Sequence, residues 1–413
     1  MGPRFPDGTL AFWRPFGASF ATSVLIWSTG ILTGLLLARA LGPAGRGTLA
    51  AVMLWPATYS TLGVFGLGDA VTYHIVRGPE RVRQVVASGL AVAAVLSVLL
   101  LAVGMALTPL VLHRYEGRAV FWGLVAMTQI PLTLVSQLGS ATLNGLHRYG
   151  RFQLSRAAFV VVSAGGVVVL AASGHLSVGS AVCTYVAANV VATGVIAELV
   201  RREGALGGRP SRETTKELLS YGFKSHVAIL SSALNQRLDQ LVISLVLAPR
   251  QLGLYVVAVA FAGAVGMIGS SVGMVTLPQV GRVAAPDERR ARVRRLVVGT
   301  VVLSVGAGAA FALVAHPLIV LAFGSSFAGA VTPARILLLA GVFLGANAVL
   351  SNVLRGVGRP LQAGMAELGA LLVTVAALGA LLPILGINGA AVASVLAYAA
   401  TTTWMVRQAR RAL

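Results

Sequence analysis

Two charged side chains, Arg237 and Asp239, lie in an apolar stretch of the sequence, residues 227–247. The stretch reads VAILSSALNQRLDQLVISLVL, and its length suits a membrane-spanning helix, which needs ~20 residues. A charge at the centre of a bilayer costs roughly 2.5–3.5 kcal/mol on insertion scales. Charges that are kept inside a membrane span despite this cost are typically paired, hydrated or functional. These two residues are therefore the first candidates for function.

Polar residues around this pair recur with helical spacing. Ser231, Asn235 and Asp239 are four residues apart, which would place them on one face of a helix, and Lys224 extends that face toward the cytoplasm. Arg237 is two residues from Asp239, so it points away from it and needs a partner on another helix or a break in its own. We predict that this region lines a hydrated substrate cavity. The substrate-binding candidates are Arg237, Lys224, Asn235 and Ser231.

Three carboxylates in apolar segments are candidates for coupling to an ion gradient. Asp239 is one, Glu367 lies within a later segment, and Asp69 lies near the inner end of an early segment. Ionisable residues inside membranes commonly mark ion pathways. Each also fits a structural role, which is a hydrogen bond between helices for Asp239 and Glu367, and solvation at the membrane interface for Asp69.

The composition predicts a polytopic membrane protein. Only 11% of the 413 residues are charged, whereas soluble domains carry about 25%, and 57% are hydrophobic. The net charge of +20 does not indicate nucleic-acid binding, because the arginines are spread over many short loops and form no single patch. The sequence contains one cysteine, Cys183, and no P-loop, metal-ligand cluster or nucleophile elbow. We therefore predict no metal, no cofactor and no enzymatic activity.

Twelve apolar segments predict about 12 transmembrane helices, and thus an all-α membrane protein. Nearly every gap between them is short and contains Gly, Pro or Arg, so no gap holds a folded soluble domain. The longest gap is also the most charged. It predicts an N-terminal six-helix lobe at 1–200, a cytoplasmic linker at 201–218 and a C-terminal six-helix lobe at 219–413. The segments are 17–38, 48–73, 85–108, 119–143, 152–173, 177–199, 219–247, 252–279, 296–318, 331–353, 361–383 and 387–406.

The two halves repeat short motifs. The sequence LGPAGRG, which begins at Leu41, is similar to LAPRQLG at Leu247, and NGLHRYGR at Asn144 is similar to NVLRGVGR at Asn352. Each pair has the same place in its half, which is typical of an internal duplication. Six helices per repeat is an even number, so we predict two lobes of equal orientation, related by a pseudo-two-fold axis along the membrane normal. Such lobes would enclose a cavity that opens alternately to either side.

The positive charges set the orientation. Most of the 32 Lys and Arg residues fall in alternate loops, which the positive-inside rule places in the cytoplasm. Both termini then lie inside, which requires an even number of spans. The first apolar run, 16–38, is longer than the core of a signal peptide, so we interpret it as a retained helix.

Five pieces of the sequence, in this order, resemble the polysaccharide (O-antigen-type) flippases of the multidrug/oligosaccharidyl-lipid/polysaccharide (MOP) exporter superfamily. They are ARALGPAGRGTLAAV, FGLGDAVTYHIVR, LNGLHRYGRFQLSR, LNQRLDQLVISLVLAPRQLGLYVVA and LRGVGRP. The resemblance implies a secondary transporter in a bacterial plasma (inner) membrane. It would flip a polyprenyl-diphosphate-linked oligosaccharide, a polysaccharide precursor, by alternating access, driven by H⁺ or Na⁺. Arg237 and Asp239 match the charged positions of the family's seventh helix.

Two other functions stay open from the sequence. A proton- or sodium-coupled multidrug antiporter of the same fold would favour an acidic cavity, which Arg237 and Lys224 do not provide. A non-transporting membrane component of polysaccharide assembly would be an enzyme, for which a large outer loop is typical, or a scaffold, which has no use for buried charges. The partners implied are the lipid-linked sugar, membrane lipid, a coupling ion and other polysaccharide-assembly proteins.

Overall fold

The structure, a computed structural model, describes residues 9–115, 117–281 and 286–412. Within these ranges it leaves out the side chains of 9–25, 27, 225, 227–229, 231, 232, 274, 275, 277–281, 286 and 360. The described residues form helices and short connections, with no β-strand. The helices are α1 Thr9–Gly63, α2 Leu67–Arg77, α3 Val82–Val111, α4 Ala119–Met127, α5 Gln129–Gly145, α6 Tyr149–Ala172, α7 Val178–Arg202, α8 Arg212–Asn235, α9 Leu238–Val246, α10 Pro249–Gly281, α11 Pro286–Phe323, α12 Val331–Gly356, α13 Pro360–Leu385 and α14 Ile387–Ala412. Short 3₁₀ helices lie at Pro79–Arg81 and Ser325–Ala330.

The predicted all-α membrane fold is confirmed. Over the described residues, nine helices are long and apolar enough to cross a membrane, and a pair bent by 44°, Ser28–Gly63 and Leu67–Arg77, makes ten if it is one span. The first two predicted segments fall on α1 and α2, and α1 is kinked at Gly42, whose φ of 64° and ψ of 179° are not helical. Glycine suits this position because a positive φ costs it no steric strain.

The chain divides into two compact units. Unit 1 contains the residues up to Leu41 and Val52–Val227, and unit 2 contains Gly42–Ala51 and Ala228–Leu413. The boundary therefore falls within α8. The predicted linker, 201–218, includes the end of α7, a connection without helix and the first turns of α8. The predicted lobe boundaries stay a prediction.

Helix α5 is central to unit 1. It packs against α2, α3, α6 and α7, and its approach to α7 requires Gly139, where a Cβ atom would overlap the Ile196 side chain. Small residues allow such close packing between helices in a membrane. Arg83 fixes the connection after α7, because its Nε donates to the Gly204 carbonyl at 2.8 Å.

Helix α12 has the same role in unit 2. It packs against α10, α11 and α14. At its contact with α10, a Cβ atom on Gly269 would overlap the backbone of Gly345, so the two backbones touch directly. This contact makes the core of unit 2 sensitive to added volume at these glycines.

The repeated turn motifs pack against each other reciprocally inside unit 2. A Cβ atom on Gly47 would overlap the Pro249 carbonyl, and a Cβ atom on Gly253 would overlap the Pro43 carbonyl. Pro43 and Gly47 belong to the first copy of the motif, and Pro249 and Gly253 are the equivalent residues of the second. Equivalent residues that exchange equivalent contacts are the local signature of two-fold symmetry.

Candidate functional site

The apolar stretch that contains Arg237 and Asp239 is two helices. α8 ends at Asn235 and α9 begins at Leu238, with Arg237 at the break in a non-helical conformation (φ −127°, ψ −9°). The break places Asn235 and Asp239 on different helices. Broken helices at membrane depth are tolerated where neighbouring groups satisfy the freed backbone or where they line a water-filled cavity.

The first polar cluster surrounds Asp239, which is only 7% exposed. The Tyr255 hydroxyl donates to Asp239 Oδ2 at 2.5 Å, and the Ser394 hydroxyl donates to the same oxygen at 3.3 Å. The backbone N–H of Gln240 donates to Oδ1 at 2.7 Å. Three donors thus satisfy the carboxylate without a cation, and they tie α9 to α10 and α14.

The second polar cluster surrounds Asn235, which is 5% exposed. Its Oδ1 accepts from the Thr374 hydroxyl at 2.8 Å, and its Nδ2 donates to Glu367 Oε2 at 3.4 Å. Asn235 and Glu367 were predicted separately, as a substrate contact and as a coupling residue, and the structure brings them together between α8 and α13. Both hydrogen-bonding groups of the Asn235 amide therefore have partners.

The predicted cationic residues are exposed. Arg237 and Lys224 both have exposed side chains, and neither forms an ion pair with any residue that the structure describes. The side chain of Ser231 lies outside the described residues. Arg237 therefore combines an exposed side chain with a position at a helix break, two residues from the buried Asp239 carboxylate.

A polar pocket lies in unit 1, and Asp69 is part of its lining. The cavity has a volume of about 520 Å³ and is lined by residues of α2, α5, α6 and α7. Its residues include a carboxylate, a guanidinium, amides, hydroxyls and two aromatic rings. The residues that could contact a polar ligand or stack against one are Asp69, Gln137, Asn144, Arg156, Phe152 and Phe159.

Part of this lining is already hydrogen-bonded and part is not. Asn189 Nδ2 donates to Gln129 Oε1 and Thr133 Oγ1, both at 3.3 Å. The side chains of Asp69, Gln137 and Asn144, in contrast, make no hydrogen bond to any residue in the described part of the chain. Polar side chains that converge on a cavity without protein partners are the feature by which a ligand pocket is recognised.

The sequence contained a signal for this pocket that our prediction did not use. Thr133, Gln137, Ser140 and Asn144 recur every three or four residues along α5, which places them on one face of a helix. They form a polar stripe in a segment that we predicted only as a membrane span. Of the residues that line this pocket, Asp69 was the one named as a site residue from the sequence, as a candidate for ion coupling.

Solved structures with similar folds define the structural class. The lipid II flippase MurJ in an inward closed conformation matches with a TM-score of 0.80, at 13% identity over 96% of this chain and 87% of MurJ. An inward-facing multidrug resistance transporter of the MATE family matches with a TM-score of 0.74, at 15% identity, over 93% of this chain and 95% of the transporter. A MOP superfamily transporter from Pyrococcus furiosus matches with a TM-score of 0.59, at 15% identity over 96% of each chain. The protein therefore has the two-lobe helical fold of MOP superfamily transporters.

The family follows from the sequence itself. Residues 36–332 match the family model described as "Polysaccharide biosynthesis protein", which is well over half of the chain. The protein belongs to this family, and the predicted resemblance is confirmed. Among curated proteins, none matches the sequence significantly.

Proposed function

We propose that the protein flips a polyprenyl-diphosphate-linked oligosaccharide across the bacterial plasma membrane by alternating access, with both termini in the cytoplasm. Family membership and the fold support transport for polysaccharide biosynthesis, and the polar pocket of unit 1 is the observation that carries the choice of a sugar. Enzymes and carriers that assemble the polysaccharide are the proposed partners.

The pocket has the chemistry that a saccharide requires. Sugar hydroxyls both donate and accept hydrogen bonds, and amides such as those of Gln137 and Asn144 do the same. A carboxylate such as that of Asp69 accepts hydrogen bonds from adjacent sugar hydroxyls, and the rings of Phe152 and Phe159 offer flat apolar surfaces to the C–H faces of a sugar. A volume of about 520 Å³ lies within the ~300–1,000 Å³ of small-molecule pockets, which is enough for a ligand of disaccharide size.

The diphosphate is the proposed ligand of Arg237. A guanidinium binds two phosphate oxygens through paired N–H donors, and Arg237 is exposed and forms no ion pair among the described residues. Lys224 is also exposed, and it stays a substrate-binding candidate in its own right. A hydrophobic drug cation would be repelled by these charges, so the multidrug alternative is disfavoured.

Asp239 and Glu367 are the proposed coupling residues for H⁺ or Na⁺. Both join hydrogen-bonded clusters on either side of the helix break, so a change in their protonation or ion binding would act directly on that break. Asp69 is exposed in the polar pocket, and we assign it to the sugar.

The test is transport by the purified protein in liposomes. The substrate is a synthetic polyprenyl-diphosphate oligosaccharide placed in the inner leaflet, and its arrival outside is measured with an external glycosidase. Arg237→Ala is expected to lower the rate at least about tenfold, because a charge-assisted pair is worth ~1.5–3 kcal/mol. The rate of Arg237→Lys is expected to lie between those of wild type and Arg237→Ala, since lysine keeps the positive charge and loses the paired N–H donors of arginine.

The matched control is Arg118→Ala, at an exposed arginine before α4, which is expected to transport like wild type. No transport of the lipid-linked sugar by the wild-type protein, together with efflux of a cationic dye such as ethidium, would overturn the proposed function in favour of the antiporter. Equal rates in wild type and Arg237→Ala would remove Arg237 from the mechanism.

A further inference from the structure

A second cavity, in unit 2, has a composition unlike that of the polar pocket. It has a volume of about 500 Å³ and lies between the start of α11, the end of α14 and α12. Three arginines, Arg290, Arg294 and Arg410, line it, and the remaining lining is Val, Leu and Ala. Its described lining thus contains cationic and aliphatic groups alone.

The order of residues along the helices separates the charges from the apolar wall. On α11, Arg290 and Arg294 come before Val297 and Val298, so the arginines lie nearer the helix start and the valines lie deeper in the membrane-spanning part. On α14, Arg410 belongs to the last turn, one turn after Val406. Residues four apart share one helix face, as Arg294 and Val298 do on α11. Both helices therefore place a cation at the end of the cavity formed by the start of α11 and the last turn of α14.

The positive charge of this cavity is only partly compensated. Arg290 lies 3.9 Å from Asp287, whose side chain is almost fully exposed, and exposed pairs of this kind contribute little. Arg294 and Arg410 form no ion pair with the residues that the structure describes. Two guanidiniums are thus available to an anion beside an aliphatic surface.

We propose that this cavity, which we call the arginine cavity, binds an anionic phospholipid. The phosphate accepts hydrogen bonds from Arg294 and Arg410, and the acyl chains lie against Val297, Val298 and Leu350. Val298 is 51% exposed, which leaves the wall open to a chain from the surrounding bilayer. Basic pockets between transmembrane helices on the cytoplasmic side are suited to lipid head groups. This site is independent of the transported substrate.

The test compares two pairs of substitutions on the same helices. Arg294→Gln with Arg410→Gln removes two arginines of the cavity, and Arg295→Gln with Arg407→Gln removes two exposed arginines that do not line it. The change in net charge is the same. The full chain is purified in a neutral detergent and titrated with phosphatidylglycerol, phosphatidylcholine or inorganic phosphate, and lipid adducts are counted by native mass spectrometry.

Wild type and the control pair are expected to retain phosphatidylglycerol and to unfold at a higher temperature with it, since a ligand of the native state stabilises that state. The cavity pair is expected to bind it about tenfold more weakly, which corresponds to ~1.4 kcal/mol. Val298→Trp fills the apolar wall and keeps every arginine, and it is expected to weaken phosphatidylglycerol binding by the same factor. It therefore tests the cavity separately from any effect of the arginines on folding.

Equal loss in both pairs would show a general effect of charge and would overturn the proposal. So would no loss in either pair, or binding of phosphatidylcholine as strong as that of phosphatidylglycerol. Stabilisation by inorganic phosphate equal to that by phosphatidylglycerol would show a soluble anion as the ligand and would also overturn the lipid assignment.

Discussion

Two sets of polar side chains, one in each unit, differ in their hydrogen bonding. In unit 2, Asp239 and Asn235 are buried and every polar group that they carry has a partner. In unit 1, Gln137 and Asn144 face an open cavity, and their side chains make no hydrogen bond within the described part of the chain.

The contrast separates two uses of a polar residue among apolar ones. A buried polar group without a partner costs free energy, so a fully bonded cluster contributes to stability and to the position of its helices. A polar group that faces a cavity is solvated instead, and it keeps its hydrogen-bonding capacity for a ligand. We therefore expect substitutions in the clusters of unit 2 to change folding, and those in the pocket of unit 1 to change recognition.

The largest effect on stability is expected from Asp239→Ala. It removes the acceptor of the Tyr255 hydroxyl, which is fully buried, and hydrogen bonds to a charged group are worth ~1.5–3 kcal/mol. We expect a loss of about 3 kcal/mol in the free energy of unfolding, measured by titration with SDS in mixed micelles.

Asp239→Asn is the matched comparison, because an amide still accepts from Tyr255. Its amide nitrogen loses the hydrogen bond from the Gln240 N–H, so we expect it to lose about 1 kcal/mol of unfolding free energy, less than Asp239→Ala, and to lose the response of transport to a proton or sodium gradient. An unchanged gradient response in Asp239→Asn would leave Asp239 as a structural residue alone.

Asn235→Ala is expected to have the next largest effect. It leaves the Thr374 hydroxyl and the Glu367 carboxylate without their partner on α8, so we expect a loss of about 2 kcal/mol in the free energy of unfolding. The same change at Asn144, in the pocket of unit 1, breaks no hydrogen bond to a described residue. Similar losses at the two asparagines would contradict the distinction between the units.

The smallest effect on stability is expected from Gln137→Ala with Asn144→Ala. Both side chains face the cavity, so the free energy of unfolding should stay within about 0.5 kcal/mol of wild type, as for most substitutions away from packed features. Thermal unfolding in detergent checks this value. A loss as large as that of Asn235→Ala would mean that the polar stripe of α5 is a packing feature.

The sequence predicted the architecture well and the site only in part. Composition and the twelve apolar segments were sufficient for the all-α membrane fold, because a membrane restricts spanning segments to a few forms. The family came from the resemblance of five sequence pieces, and the match of residues 36–332 to the family model agrees with it. The helix break at Gln236 and Arg237 lies inside a stretch whose length suits a single span, so segment length alone predicted one continuous helix there. The position of Arg237 was the feature from which a break was considered.

The partners of the buried residues were not predictable. Asp239 bonds to Ser394, and Asn235 bonds to Glu367 and Thr374, on helices far along the chain. A single sequence contains no local signal for such pairings. The polar stripe of α5 was visible in the sequence by its spacing, and its convergence with Asp69 and Arg156 on one cavity required the fold.

The most direct test of the account is the substrate dependence of transport in the pocket variant. The initial rate of flipping is measured in liposomes against the concentration of polyprenyl-diphosphate oligosaccharide, for wild type, for Gln137→Ala with Asn144→Ala, and for Gln408→Ala on α14 as the control. We expect the pocket variant to need about tenfold more substrate for half-maximal rate, as for the loss of ~1.4 kcal/mol of binding, with the maximal rate kept. The same half-maximal concentration in all three proteins would contradict a sugar site in unit 1.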